Sequence, residues 1–422
     1  MSEDRSMRNM CIVSAALVLC GLMLTAHAVQ LKELDSDVNY DEDKVPAYGL
    51  PPLLVTAEGA PITTAEEWRT RRRPQIVALF ANTLYGRVPV PETPLKTEYE
   101  VIDADKDFMD GKATRTKVEI RFENEAGKEL MTIAVFVPND AAGPVPAIMQ
   151  LTHDNPRSRA YDPHRTEKGK LRNGWPAGLL LDRGYALVAA NVGELMQHNE
   201  VEFLRSIHRL FFKTGQSFPK GYEWGVLSAI GWGAMRTLDY LETAGEVDAA
   251  RVALFGHSML GKSALWAAAR DERFGMVISA QSGCAGAALW RRRSGETLEK
   301  MVTRFPYWLC RNAWPFAGRE NDLPVDQHML LALIAPRPLY VYSGVEDRWA
   351  DPRGEYLGAY HASEVYRLLG KTGLTSKESP PVGEAIIESD VGYHIREGGH
   401  STERYDWERI LDFADYHFKK RE

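Results

Sequence analysis

From position 144 onward, short apolar runs alternate with longer stretches in which apolar residues recur three and four apart. The short runs are Pro146–Leu151, Tyr185–Asn191, Val252–Phe255, Met276–Ser279, Leu339–Tyr342 and Ala385–Ser389. Each has the length of a buried strand. Between them Leu227, Ile230, Ala234, Leu238 and Leu241 keep helical spacing, and Gly261–Ala269 is rich in helix formers. Trp407, Ile410, Leu411, Ala414 and Phe418 mark one face of a closing helix. Strands alternating with helices predict an α/β fold: a mostly parallel central sheet flanked by helices, a three-layer sandwich. Before 144 the pattern differs. Thr64-Ala65-Glu66-Glu67 reads as a capping box, opening a helix with Trp68, Ile76, Leu79 and Phe80 as its apolar positions. Val118, Ile120 and Phe122 alternate with Lys117, Glu119 and Arg121, a half-buried strand. Thr132–Val137 is a second, with the turn over Asn124–Lys128. Val201–Lys220 and Leu289–Leu323 interrupt the alternation, and long inserts of that kind shape clefts.

Composition bounds this picture without redirecting it. The 422 residues are 44% hydrophobic and 26% charged, an ordinary globular balance with length for one large α/β domain. That domain spans 29–422, with 29–143 as lead-in and first strands and 144–422 as the core. The net charge of -7 argues against a nucleic-acid partner. Arg69, Arg71, Arg72 and Arg73 read as a solvated helix face. Residues 1–28 stand apart: Arg5 and Arg8 precede an apolar run over Cys11–Leu24, and Ala26-His27-Ala28 supplies small residues for cleavage. This is a signal peptide pattern, too short for a comfortable membrane span. It predicts a secreted or periplasmic protein, free of the membrane after cleavage and monomeric. Cys11 and Cys20 leave with that segment. Cys284 and Cys310 remain, either as a disulfide or as two buried thiols. The cysteine spacing fits no zinc site and the histidines show no His-Glu-x-x-His, so no metal and no cofactor is expected.

The chemistry concentrates at RVALFGHSMLGKSAL, residues 251–265. A strand runs into Gly256-His257-Ser258, and a helix follows. A serine on a sharp strand-to-helix turn is the nucleophile elbow of α/β-hydrolases. The turn also sets Ser258 at a helix N-terminus, where free N–H groups favour developing negative charge. The plainer reading is a serine that caps an ordinary helix. The usual elbow is Gly-x-Ser-x-Gly; here the second glycine, Gly261, falls one place late. A serine nucleophile needs a base, and the base needs an orienting acid, in chain order Ser, acid, His. Leu339–Val345 runs into Glu346-Asp347, the expected place for the acid. Gly398-Gly399-His400 precedes the last helix, the expected place for the base. His394 is the rival base, closer to a strand and read as structural.

Several stretches together resemble the glucuronoyl esterases, carbohydrate esterase family fifteen, especially its bacterial branch. They are Ala65-Glu66-Glu67-Trp68-Arg69 through Tyr85-Gly86-Arg87, the elbow, Ser282-Gly283-Cys284, and Leu323-Pro324-Val325-Asp326-Gln327-His328. Ala335-Pro336-Arg337-Pro338, Glu346-Asp347-Arg348-Trp349-Ala350-Asp351-Pro352 and Gly392-Tyr393-His394-Ile395 continue the likeness. The resemblance implies Ser258 as nucleophile, His400 as base and Asp347 as acid. Some members place the acid as a glutamate where Gln281 stands here, and an amide cannot carry that charge. By resemblance Lys262 and Trp349 contact the uronate sugar and Glu296 binds its hydroxyls. From the residues alone, Lys262 reads as a helix-surface charge and Trp349 as a core aromatic.

One departure matters chemically. The family elbow is Gly-x-Ser-Arg-x-Gly, whose arginine helps hold the oxyanion; here Met259 stands in its place. Its backbone N–H can still donate. The loop Leu151-Thr152-His153-Asp154-Asn155 also departs from the family string, leaving the second oxyanion donor open. The resemblance implies a serine esterase acting on esters of the glucuronic acid carboxyl, such as lignin–carbohydrate esters of glucuronoxylan. Met259 keeps two alternatives in view. One is an esterase of the same fold on another ester, such as an acetylated carbohydrate; the other is a weakly active carbohydrate-binding relic.

Overall fold

The computed structural model describes residues 37–153, 175–196 and 203–419. The signal-peptide pattern at 1–28 lies outside them, as do Asp154, Asn155 and the first two residues of the insert at 201–220. The described strands are β1 (Lys96–Phe108), β2 (Ala113–Asn124), β3 (Gly127–Pro138), β4 (Val145–Thr152) and β5 (Ala186–Asn191). They continue as β6 (Val247–His257), β7 (Met276–Ala280), β8 (Leu339–Gly344), β9 (Ala385–Ile386) and β10 (Val391–Arg396). All join one sheet in the order β1-β2-β3-β5-β4-β6-β7-β8-β10-β9. The run β5-β4-β6-β7-β8-β10 is parallel throughout. β1 to β3 extend one edge as an antiparallel meander, and β9 closes the other edge antiparallel. The sheet is therefore mixed, with a parallel centre.

Parallel strands need crossovers, and the crossovers place helices on both faces. Besides one short turn at Ala65–Glu67, the described α-helices are α1 (Arg73–Thr83), α2 (Ala177–Asp182), α3 (Val226–Ala244), α4 (Met259–Arg270), α5 (Leu298–Arg304), α6 (Gln327–Ala332), α7 (Pro352–Leu368) and α8 (Arg404–Phe418). Strand side chains alternate between the faces, so one strand feeds two cores. Leu187 and Ala189 of β5 join Leu180 of α2 and Trp407 and Ile410 of α8. Val188 and Ala190 join Leu227 and Ile230 of α3 and Leu265 of α4.

Three elements differ from their sequence reading. The last parallel strand is β10, not Ala385–Ser389, of which only two residues pair, and those antiparallel. Gly392 and His394 hide β10 from an apolar pattern. A side chain at Gly392 would overlap the Tyr340 ring. His394 is wholly buried because Tyr340 Oη and Asp406 each meet one ring nitrogen at 2.8 Å. β1 carries no readable alternation because most of its residues are exposed; the ladder to β2 holds it. The arginine cluster is a solvated face only in part: Arg69 and Arg71 are exposed, Arg72 and Arg73 are not. The capping box of Thr64 and Glu67 forms, but the helix widens to a π-helical stretch over Trp68–Arg72. That turns Arg72 inward, where it donates to Leu53 O at 2.8 Å and Pro52 O at 2.7 Å. Arg73 reaches Ala269 O at 2.8 Å and Glu272 at 3.0 Å. Of the two cysteine readings, the disulfide fails: Cys284 and Cys310 are separate buried thiols. Cys284 Sγ donates to Glu296 O at 2.6 Å, and the Cys310 N–H donates to Leu84 O at 2.8 Å.

α7 carries a fully buried carboxyl, Glu355, to the ends of β7 and β8. It accepts from Ser343 Oγ at 2.6 Å and from the Gly283 N–H at 2.9 Å. Burial, the dominant cause, pushes its pKa up to about 8; Asp347 adds repulsion, and the hydrogen bonds oppose both. The folded protein thus keeps a proton that unfolded Glu355 releases above its ordinary 4.5. The stability this confers is complete below pH 4.5 and is lost as pH rises to about 8. The slope is about 1.4 kcal/mol per pH unit for one proton. Urea unfolding at pH 5, 7 and 9 is expected to show this fall in the wild type and a flatter profile in Glu355→Gln. Identical slopes would mean that Glu355 is already ionised in the fold.

Candidate active site

The parallel strands end in register. Across the sheet His257 of β6 faces Ala280 of β7, Ala280 faces Tyr342 of β8, and Tyr342 faces His394 of β10. Whatever follows these four residues in the chain therefore emerges along one edge. Ser258, Gln281, the loop to Asp347 and the loop to His400 all do.

Ser258 sits at φ 58 and ψ −126, a conformation costly for a side chain and held by its surroundings. Its N–H donates to Ala280 O at 2.8 Å, and its carbonyl accepts from Gly261 N at 2.9 Å and Lys262 N at 3.2 Å. The turn folds the start of α4 back over β6. A Cβ on Gly256 would overlap the Leu260 carbonyl, and one on Gly261 would lie 2.8 Å from Gly256 O and 3.0 Å from Ser282 Cβ. The late glycine is thus required where the first turn of α4 crosses the strand. Met259 and Leu260 open that helix, where N–H groups lack an acceptor within the helix. The Met259 side chain is buried, and with Gln150, Thr152, His153, Ser258 and Thr402 it lines a cleft of about 330 Å³.

His400 follows β10, and its Nδ1 lies 2.6 Å from Asp347 Oδ2. Asp347 is 5% exposed and His400 is 42% exposed. A carboxylate partner places the proton on Nδ1 and leaves Nε2 as the accepting nitrogen. The His400 ring stands 4.5 Å from that of His257, the residue before Ser258. Burial first, then His400, pushes the His257 pKa down to about 4, so this neighbour is neutral at ordinary pH. His394, the rival base, has both ring nitrogens engaged in the core.

Lys262, Glu296 and Trp349 are brought together. Lys262 is not a surface charge: its Nζ lies 2.9 Å from Glu296 Oε2, each side chain 5% exposed, and it also donates to Cys284 O. The Glu296 N–H donates to Trp349 O at 2.9 Å. Gly295 permits that approach, since a Cβ there would overlap the Trp349 carbonyl. Trp349 is half-buried, with the Arg304 guanidinium 4.9 Å from its ring centre. Asp347, two residues earlier, is thereby tied to the insert that carries Glu296.

Two supports carried no sequence signal because their partners lie far apart in the chain. Arg292 joins Asp351 at 2.8 Å and Glu42 at 2.6 Å, clamping the lead-in to the acid loop. Gln281 lies 2.9 Å from His257 Nε2 and 3.0 Å from Gly399 O. Among the described residues no group of His, Cys, Asp or Glu is arranged to hold a metal ion, and no helix is long and apolar enough to cross a membrane. A serine at a helix N-terminus, whose preceding residue His257 lies near a histidine bonded to a buried carboxylate, is suited to acyl transfer.

Comparison with known proteins identifies the family. A family model described as glucuronyl esterase, fungi, matches residues 173–370. The glucuronoyl esterase structure from Solibacter usitatus is 40% identical with a TM-score of 0.82, covering 89% of this chain and 100% of that one. Carbohydrate esterase MZ0003, from an unknown prokaryotic organism, is 36% identical over 403 residues, 90% of this chain and 92% of the relative. The 4-O-methyl-glucuronoyl methylesterase 1 of Wolfiporia cocos is 26% identical over 346 residues, 77% of this chain and 74% of the relative. The chain belongs to the glucuronoyl esterases of carbohydrate esterase family fifteen and is a carboxylic ester hydrolase.

Proposed function

We propose that the enzyme hydrolyses esters on the carboxyl group of 4-O-methyl-glucuronic acid, as in the lignin–carbohydrate esters of glucuronoxylan, through a Ser258–His400–Asp347 triad. The 2.6 Å bond between His400 and Asp347, beside the elbow, carries the reading. Ser258 Oγ attacks the ester carbonyl while His400 Nε2 takes its proton. Asp347 holds the imidazolium so formed. The tetrahedral oxyanion is met by the Met259 N–H. Collapse expels the alcohol, which takes its proton from His400. Water then repeats the sequence on the acyl-enzyme, releasing glucuronate and restoring Ser258. Lys262, Glu296 and Trp349 hold the sugar, with no cofactor. The curated methylesterase relative and the burial of the Lys262–Glu296 pair beside the acid loop support this substrate. The apolar run within residues 1–28 supports secretion; the exported protein is taken to be one monomeric domain, 29–422.

Met259 favours a second reading. A thioether cannot meet a polar acyl group as a guanidinium can, so an ester with a less polar acyl part would fit the same triad.

Ser258→Ala is expected to lose at least about 1,000-fold in kcat while keeping its circular dichroism and melting temperature. Asp347→Asn is expected to lose about 1,000- to 10,000-fold, far more than Gln281→Ala, because the amide favours the wrong His400 tautomer. A small loss in Asp347→Asn would move the acid to Glu346.

Met259→Arg is expected to raise kcat on a methyl glucuronate ester about 10-fold, with less change in KM, because the charge it meets develops during attack. Assays of both variants on that ester and on an uncharged acyl ester check this. A fall on the glucuronate ester, with the wild type preferring the uncharged one, would overturn the substrate and leave the triad standing.

A further inference from the structure

We infer that Gln281 is a positioning residue whose side-chain amide fixes the His400 loop against the nucleophile elbow and the start of the acid loop. The inference rests on the assignment of His400 as general base. Gln281 is the first residue beyond β7, and its own N–H donates to Tyr342 O at 2.9 Å on β8. Its φ of 44 is left-handed, a strained choice for a residue with a side chain. That backbone turn accompanies a side chain that is 1% exposed and engaged at both ends. Gln281 Nε2 donates to Gly399 O at 3.0 Å, on the residue before His400. Gln281 Oε1 lies 2.9 Å from His257 Nε2, on the residue before Ser258. An amide oxygen only accepts, so His257 carries its proton on Nε2 and donates.

The third loop packs on the same amide. A Cβ on Gly344 would stand 2.6 Å from Gln281 Nε2, 2.6 Å from Gly398 O and 2.8 Å from Gly399 O. Gly344 begins the segment leading to Asp347, and the Glu346 N–H donates to Gly398 O at 3.1 Å. One amide group therefore bonds the residue before Ser258 and the residue before His400, and leaves no room for a side chain at Gly344, three residues before Asp347. Only a side chain with one donor and one acceptor, at this length, fills both bonds. A glutamate could accept from His257, but it would turn a carboxylate oxygen on the Gly399 carbonyl. It would also set a negative charge beside His257, whose ring already neighbours that of His400. His257 matters as the other end of the strut: it is the residue before Ser258, and its ring centre lies 4.5 Å from that of His400.

The test is a set of full-length variants assayed on methyl glucuronate ester: Gln281→Ala, Gln281→Glu, His257→Ala, the Gln281→Ala/His257→Ala double variant, and His400→Ala as reference. Misplacement of a catalytic group by about 1 Å costs on the order of 100-fold in rate. Gln281→Ala is expected to lower kcat about 10- to 100-fold with KM within about twofold, a split that general loosening of the fold would not produce. Gln281→Glu, of equal size, guards against a folding defect in the alanine variant and is expected to fail as a rescue. The double variant is expected to match the worse single variant within about twofold, since breaking either end of one strut breaks the strut. Wild-type kcat in Gln281→Ala, a kcat above wild type in Gln281→Glu, or multiplicative losses in the double variant would each overturn the inference. Retained activity in His400→Ala would instead overturn the base assignment beneath it.

Discussion

The backbone crossing at the elbow is the constraint on which the site depends. The first turn of α4 lies so close to the end of β6 that neither Gly256 nor Gly261 has room for a side chain. That closeness holds Ser258 in its strained conformation, gives its carbonyl to the N–H groups of Gly261 and Lys262, and leaves the N–H groups of Met259 and Leu260 at the helix mouth. A looser turn would remove the strain. It would also swing the hydroxyl away from the edge where the other loops arrive.

Those loops are held by charge and polarity rather than by apolar packing. The Arg292–Asp351 and Lys262–Glu296 pairs are almost wholly buried, and Arg396 meets Asp406 at 2.8 Å within the core. Each pair is costly to desolvate, and losing one partner leaves a buried charge exposed to nothing that compensates it. The consequence is directional. Ion pairs and amide struts specify one geometry, where a greasy contact would tolerate several. Loops following β6, β7, β8 and β10 are thereby locked to one another although no strand passes through them. Glu355 sits under the same loops as a carboxyl that burial keeps protonated, so it can bridge Ser343 and Gly283 without adding charge beneath Asp347.

Met259 changes the chemistry offered at the elbow without disturbing its backbone. The main-chain donor remains, while the side chain is buried and apolar against the cleft. Electrostatic stabilisation aimed at a developing oxyanion is commonly a large part of catalysis. In the proposed triad, one fewer cation there puts more weight on the placement of His400, the role inferred for the His257–Gln281–Gly399 connection.

The sequence by itself determined the layered α/β core and the strand–turn–helix at Ser258. It also offered Ser258, Asp347 and His400 in the chain order of the proposed triad, because these readings follow from local periodicity and from residues adjacent in the chain. It misread what depends on partners remote in sequence. Arg72 and Lys262 look like solvated charges until Leu53 and Glu296 arrive to accept from them. β10 escapes an apolar pattern because His394 is buried by Tyr340 and Asp406 rather than by hydrophobicity. Cys284 and Cys310 look like a pair, yet both are free thiols, and Cys284 donates its own to Glu296 O. Gln281 reads as an acid lost; only the tertiary structure makes it an amide used at both ends. The physical reason is common to all of these. A buried polar group is tolerable only where a partner meets it, and the sheet register, not the neighbouring residues, decides which partner is there.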